Sequence, residues 1–346
     1  MRNATFLSLG FFLAFFGCPS FSRSIEPDKS IPPDTVFVGF VRPRLLMTSA
    51  LVKSLGWDEL LKTLIATNGL LQEFLENAGI NPLTQIDSVL VTSTVFPILV
   101  NPTQEESQKF KPSALVAIRG TFQSKKVIKA LETLGKENGA PVKRVKVDDL
   151  TLWELPVPGM PVYVAIHNQQ KTIFLATRKE DAVACLRGGF APLKSKEIKQ
   201  ALAVLGGKEV AYLAGTMPPK KPENLSLDPE LQKLTEQVEG WSIGAEVSDS
   251  IHLGLNLVTQ EGNTTATLRD ALEKKWFPYL RQEIAGELEA RPKGEEKGDL
   301  GNRVLRAYLE VLKKIRVSTE GNILELSFTL NEGLLDSILG KEEKKP

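Results

Sequence analysis

The stretch SALVAIRGTFQSKKVIKALETLGKE, residues 113–137, decides the fold. Its opening is rich in β-branched and apolar residues and reads as a strand over 114–122. The remainder spaces Val127, Ile128, Leu131 and Leu134 at helical intervals with lysines opposite, which predicts a helix over 124–137. Working outward, strands over 142–155, 162–167 and 171–177 and a short helix over 179–186 complete a unit. Much of that order recurs later: strands over 241–247 and 251–259, a helix over 265–280, strands over 315–319 and 323–330, then helical pattern over 333–339. Two more strands, over 35–41 and 210–215, form a second matching pair. The expected fold class is therefore α+β, with two similar halves. Each half is expected to be an antiparallel sheet with helices packed on one face, resembling a split βαβ sandwich. Whether the halves share one sheet is left open.

The chain divides into residues 1–24 as a signal peptide, 25–190 as a first repeat, 191–340 as a second, and 341–346 as a frayed tail. Arg2 precedes a short apolar run, residues 6–16, followed by Gly17-Cys18-Pro19-Ser20. Eleven residues are too few to span a bilayer, where about 20 are needed. Charge, short apolar core and small residues form the layout of a secretory signal, with Ser22 and Ser24 before a cut at Ile25. The expected location is exported, periplasmic or extracellular. A lipid anchor at Cys18 is a less favoured alternative, because Phe16 stands where a lipidation site usually has a small residue. No transmembrane helix is expected in the mature chain.

With 42% hydrophobic and 25% charged residues, the composition is that of a globular protein with a sizeable core. The formal charge is +1, and removing Arg2 and Arg23 takes it to −1. That balance gives no electrostatic footprint for nucleic acid. Apart from Cys18 there is only Cys185, so the processed chain forms no internal disulfide. Cys185, beside Ala182 and Leu186 on the apolar side of a short helix, reads as a buried inert thiol.

Three segments resemble a known group: Ile31-Pro32-Pro33-Asp34-Thr35-Val36; Gly79-Ile80-Asn81-Pro82 with Gln85-Ile86-Asp87-Ser88-Val89; and Ile173-Phe174-Leu175-Ala176-Thr177 before a short helix. They are similar to uncharacterised secreted bacterial two-repeat α+β proteins, described only as a domain of unknown function. The resemblance covers most of the mature chain and implies export, a duplicated build and an unassigned role. It brings no catalytic residues.

One string suggests chemistry. Gly240-Trp241-Ser242-Ile243-Gly244 matches the nucleophile pattern G-x-S-x-G, which works at a sharp strand-to-helix turn. Here Trp241, Ile243, Ala245 and Val247 alternate, so the segment reads as a strand with Ser242 on its polar face. A three-residue loop at 248–250 sets Glu246 opposite His252 and Ser242 opposite Asn256. Ser242 and His252 are then about 13 Å apart, where a Ser–base bond needs about 3 Å. His167 reads as an exposed turn residue, and Asp148-Asp149 as a bend. Two histidines and one cysteine without ligand spacing leave a zinc site unsupported. No phosphate-cradling glycine motif occurs.

No cofactor and no metal are expected. The favoured reading is a non-enzymatic binding or envelope-associated module whose partner is an unknown protein or envelope component. Its expected contact is the apolar loop containing Val95, Phe96, Ile98 and Leu99. The alternatives are a serine hydrolase using Ser242, and a periplasmic carrier holding a lipid or other apolar ligand between sheet and helices.

Overall fold

The computed structural model describes residues 29–95, 113–137, 139–156, 161–217, 233–290 and 300–339. The expected signal segment, the lipidation candidate Cys18 and the loop residues Phe96, Ile98 and Leu99 lie outside them. Val95 is half-buried in a bend two residues past a strand that ends at Ser93, its N–H donating to Ser93 Oγ at 3.1 Å.

Among the described residues twelve strands build one sheet: β1 (Phe37–Val41), β2 (Ile86–Ser93), β3 (Ala114–Gly120), β4 (Lys143–Val147), β5 (Leu150–Leu155), β6 (Val162–His167), β7 (Thr172–Ala176), β8 (Ala211–Thr216), β9 (Val238–Val247), β10 (Ile251–Thr259), β11 (Arg316–Glu320) and β12 (Ile323–Leu330). Their order is β11-β12-β10-β9-β8-β1-β2-β3-β7-β6-β5-β4, with every neighbouring pair antiparallel. The seam is β1 against β8, from Phe37 opposite Gly215 to Val41 opposite Ala211. The sheet is continuous through that seam. Outward from it run β2-β3-β7-β6-β5-β4 on one side and β9-β10-β12-β11 on the other.

The helices are α1 (Pro43–Thr48), α2 (Ala50–Ser54), α3 (Trp57–Thr67), α4 (Gly69–Ala78), α5 (Pro82–Gln85), α6 (Ser124–Glu137), α7 (Lys179–Leu186), α8 (Lys196–Ala203), α9 (Gly262–Ala271), α10 (Phe277–Ala290), α11 (Leu300–Lys314) and α12 (Glu332–Leu339). They cover both faces of the sheet, which corrects the expectation of helices on one face only. Ala182 and Cys185 of α7 and Ile198, Ala201 and Leu202 of α8 pack with Leu115, Ala165 and Phe174. Val127, Ala130 and Leu131 of α6 pack with Val164 and Ile173 on the other face. Adjacent positions of a strand point to opposite faces, and in Val164-Ala165 and Ile173-Phe174 both are apolar and buried. Such strands need a cover on each side. Each fully buried aliphatic or aromatic side chain, Phe174 or Leu115 for example, contributes roughly 1.5–3 kcal/mol over exposure.

Two further expectations are revised. The strand over 142–155 is a hairpin, β4 to β5, turned at Asp148 with φ 53°. The helix over 265–280 extends from Gly262 to Ala290 through a π-helical joint, Leu272–Trp276, and α11 follows it.

A strap joins the chain's early and middle segments. The Phe190 N–H donates to Lys29 O at 2.8 Å, and that of Lys194 to Pro33 O at 2.9 Å. Gly189 has φ 107°, and a Cβ there would meet Lys29 O at 2.5 Å. Alongside, Arg178 binds both Asp34 and the buried Asp181, which accepts from Ser113 Oγ at 2.7 Å. The bond from Arg178 holds the Asp34 carboxyl below its usual range.

Candidate functional site

A groove lies where α8 ends and leaves the sheet uncovered. Ser195 caps α8, its hydroxyl accepting from the Ile198 N–H at 3.1 Å, and Ile198, Ala201 and Leu202 bury the helix against the sheet. At eight residues α8 is too short to persist alone, so this packing is what holds it. Close approach requires small residues beneath. A Cβ on Gly240 would lie 3.1 Å from Glu197 O, and one on Gly244 would lie 2.9 Å from both Leu205 Cδ2 and Glu209 Cγ.

After α8 the chain turns at Gly207, φ 77°, and enters β8. The turn is fastened on both sides. Val210 N–H donates to Ala245 O at 2.7 Å, Arg42 N–H to Val210 O at 2.7 Å, and Arg42 Nη1 to Gly207 O at 3.3 Å. Glu209 is thereby drawn under the turn, 7% exposed. Its Oε1 accepts from the Gly206 N–H at 2.5 Å, while its buried Oε2 has no hydrogen-bond partner among the described residues.

Beyond Glu209 opens a groove of about 440 Å³, floored by β9, β10, β12 and β11. Glu246, His252 and Glu325 line it, with Gly254 on the floor. Burial pushes the Glu246 carboxyl above its usual range, the charge of Glu209 adds to this, and Lys208 opposes it. Burial lowers the His252 imidazole. Both its nitrogens are engaged, Nε2 with Ser250 Oγ at 2.7 Å and Nδ1 with Thr329 Oγ1 at 3.0 Å. One hydroxyl must donate and the other accept when the ring is neutral. Ser318 Oγ donates to Glu325 Oε2 at 3.0 Å.

Ser242 is on the strand face opposite Trp241, as the alternation predicts, but that face is dry at this position. The residue is 0% exposed, and its hydroxyl accepts from Asn256 Nδ2 at 3.3 Å. The polar face expected from the alternation is covered rather than solvated at Ser242, because α8 lies over it. Ser242 therefore has neither a turn to expose it nor a histidine beside it. His167 closes a turn, its Nδ1 accepting from the Gln170 N–H at 3.2 Å. Cys185 is buried in the core with Ala182, as its helical position predicts. Among the described residues no cluster of three or more His, Cys, Asp or Glu is placed to hold a metal ion, and no helix is long and apolar enough to cross a membrane.

Sequence reading missed Glu209. The only local signal is an acid between Gly206-Gly207 and an apolar strand, a position that ordinarily faces water. No family model matches the chain, and no curated protein or solved structure is significantly similar to it.

Proposed function

We propose that the protein is an exported, non-enzymatic binding module that takes a small ligand in the groove at the end of α8. The observation that carries this reading is the groove itself. Its volume falls within the usual range for small-molecule sites, and its walls belong to strands and a fastened turn rather than to a free loop. Rigid walls keep ligand-facing groups in place before binding and so reduce the ordering cost. Export rests on the composition of residues 1–24. The mirrored strand order about the β1–β8 seam supports a duplicated α+β unit as its origin.

Gly254 offers a direct test. A Cβ there meets nothing nearer than Glu325 Oε1 at 3.9 Å, so a side chain has room to grow into the groove. Gly254→Phe is expected to keep the melting temperature of the parent and to lose the extra mass seen by native mass spectrometry of protein purified from its source cells. Retention of that mass in the variant, or no extra mass in the parent, would sink the reading.

A carrier for an apolar ligand is the second reading. On the opposite face Val116, Val91, Leu213 and Ile243 form one cross-strand row through Gly39 and stay half-buried. An acyl-sized mass that survives Gly254→Phe would favour it.

A further inference from the structure

We propose that the groove is built for an organic cation, an ammonium or guanidinium group bound between the carboxyl groups of Glu209 and Glu246. This names the ligand class for the binding module above and rests on that reading.

Glu209 is the starting point. A carboxyl oxygen buried without a partner loses its hydration and gains nothing in exchange, at about 1–3 kcal/mol or more. The fold nevertheless fixes it there. Gly244 has no Cβ to push it out, Gly206 holds its other oxygen, and the turn above is bonded to both β1 and β9. A buried polar atom left unsatisfied this way calls for a specific explanation, and a ligand that completes it is one.

The second observation is Glu246, which lines the same groove from β9. Its carboxyl is pushed up by burial and by the neighbouring Glu209 charge. Among the described residues neither carboxyl group makes an ion pair. Lys208 is near enough to oppose the shift on Glu246 but lies beyond ion-pair distance. Glu325 and Glu320 add negative charge along the far wall, and His252, spent on two hydroxyls and lowered by burial, supplies no compensating cation. A bound cation would relieve both carboxyl groups together.

The geometry favours an organic cation over a metal ion. No three acidic or histidine groups converge among the described residues, as a hard cation with a small coordination sphere would need. Ammonium and guanidinium donate several N–H bonds over a wider spread. The open floor at Gly254 leaves room for the stem that carries such a head group. The stem could belong to a free amine or to a lysine or arginine side chain of a peptide, and the test separates these.

The full chain, labelled with 15N, is titrated at constant ionic strength with n-butylammonium, N-methylguanidinium, acetyl-Gly-Lys-Gly-amide, tetramethylammonium or Mg2+. Expected are saturable shifts at the amides of Gly244, Glu246 and Gly254 with at least one N–H donor cation, and none with tetramethylammonium. Tighter binding of the peptide supports a side chain as the source, and tighter binding of the free cations supports a small molecule. Glu209→Gln and Glu246→Gln should each weaken binding about tenfold or more. Glu246→Gln keeps the test decisive if the buried variant fails to fold. Unchanged affinity in a folded variant, saturation by Mg2+ instead, or no shifts in the folded parent would overturn the proposal. A neutral ligand found by mass spectrometry and displaced by Gly254→Phe would overturn it while leaving the binding module intact.

Discussion

Glu246 shows how one side chain can couple stability to pH. Because its folded carboxyl is pushed above the usual value of 4.5, the native state holds this proton more tightly than the unfolded chain does. The resulting penalty is absent below about pH 4.5 and grows as pH rises through the raised folded value. Glu246→Gln is therefore expected to melt at a higher temperature than the parent at pH 7, with the gap closing near pH 4. Thermal melts across that range check the sign; a variant less stable at pH 7 would refute it. The same scale explains the false nucleophile pattern. In Gly240-Trp241-Ser242-Ile243-Gly244 the even positions are small because α8 must lie close over them. A string that spells a hydrolase motif here encodes helix-on-sheet packing. Local alternation gave the correct strand and the correct face, but not the cover, because α8 arrives from a segment some forty residues earlier.

At the scale of elements, the strap at Gly188-Gly189 makes a contrast that sequence could not. Both glycines have positive φ, 104° and 107°, so both substitutions strain the backbone. A Cβ on Gly188 meets nothing, whereas one on Gly189 runs into Lys29 O. Gly189→Ala is expected to cost about 1–3 kcal/mol more than Gly188→Ala. It should also speed hydrogen exchange at the Phe190 and Lys194 amides, whose acceptors are Lys29 O and Pro33 O. Denaturant melts and exchange measured on both variants test this. Elements with strong internal periodicity were legible: α6, α7, β6, β10 and β12 keep the predicted bounds. The β4–β5 hairpin was harder, because apolar alternation continues on both sides of Asp148-Asp149. The helix α11 was missed outright. Its polar lead-in reads as a loop, although Ala307 and Val311 pack its inner face against Leu330 and Leu334.

The whole molecule turns on which strand edges meet, and alternation along a chain carries no such information. Pairing β1 with β8 joins segments about 170 residues apart and fuses the expected halves into one sheet. The core crosses the seam as well: Ile198, Leu202 and Tyr212 share a cluster with Val38, Leu90 and Phe174. Calorimetry of the full chain is expected to show one cooperative transition. Residues 25–190 and 191–340 expressed separately should each bare an unpaired central strand and aggregate or stay partly unfolded. Two independent melts, or a stably folded monomeric fragment, would contradict this.

A row that pairs so readily at its centre could keep adding ribbons at its margins. The β4 margin presents Lys143, Arg144 and Lys146, all exposed, so two molecules meeting there would set three cations against three. That repulsion favours a sheet that stops at its own margin over one that grows into a fibre.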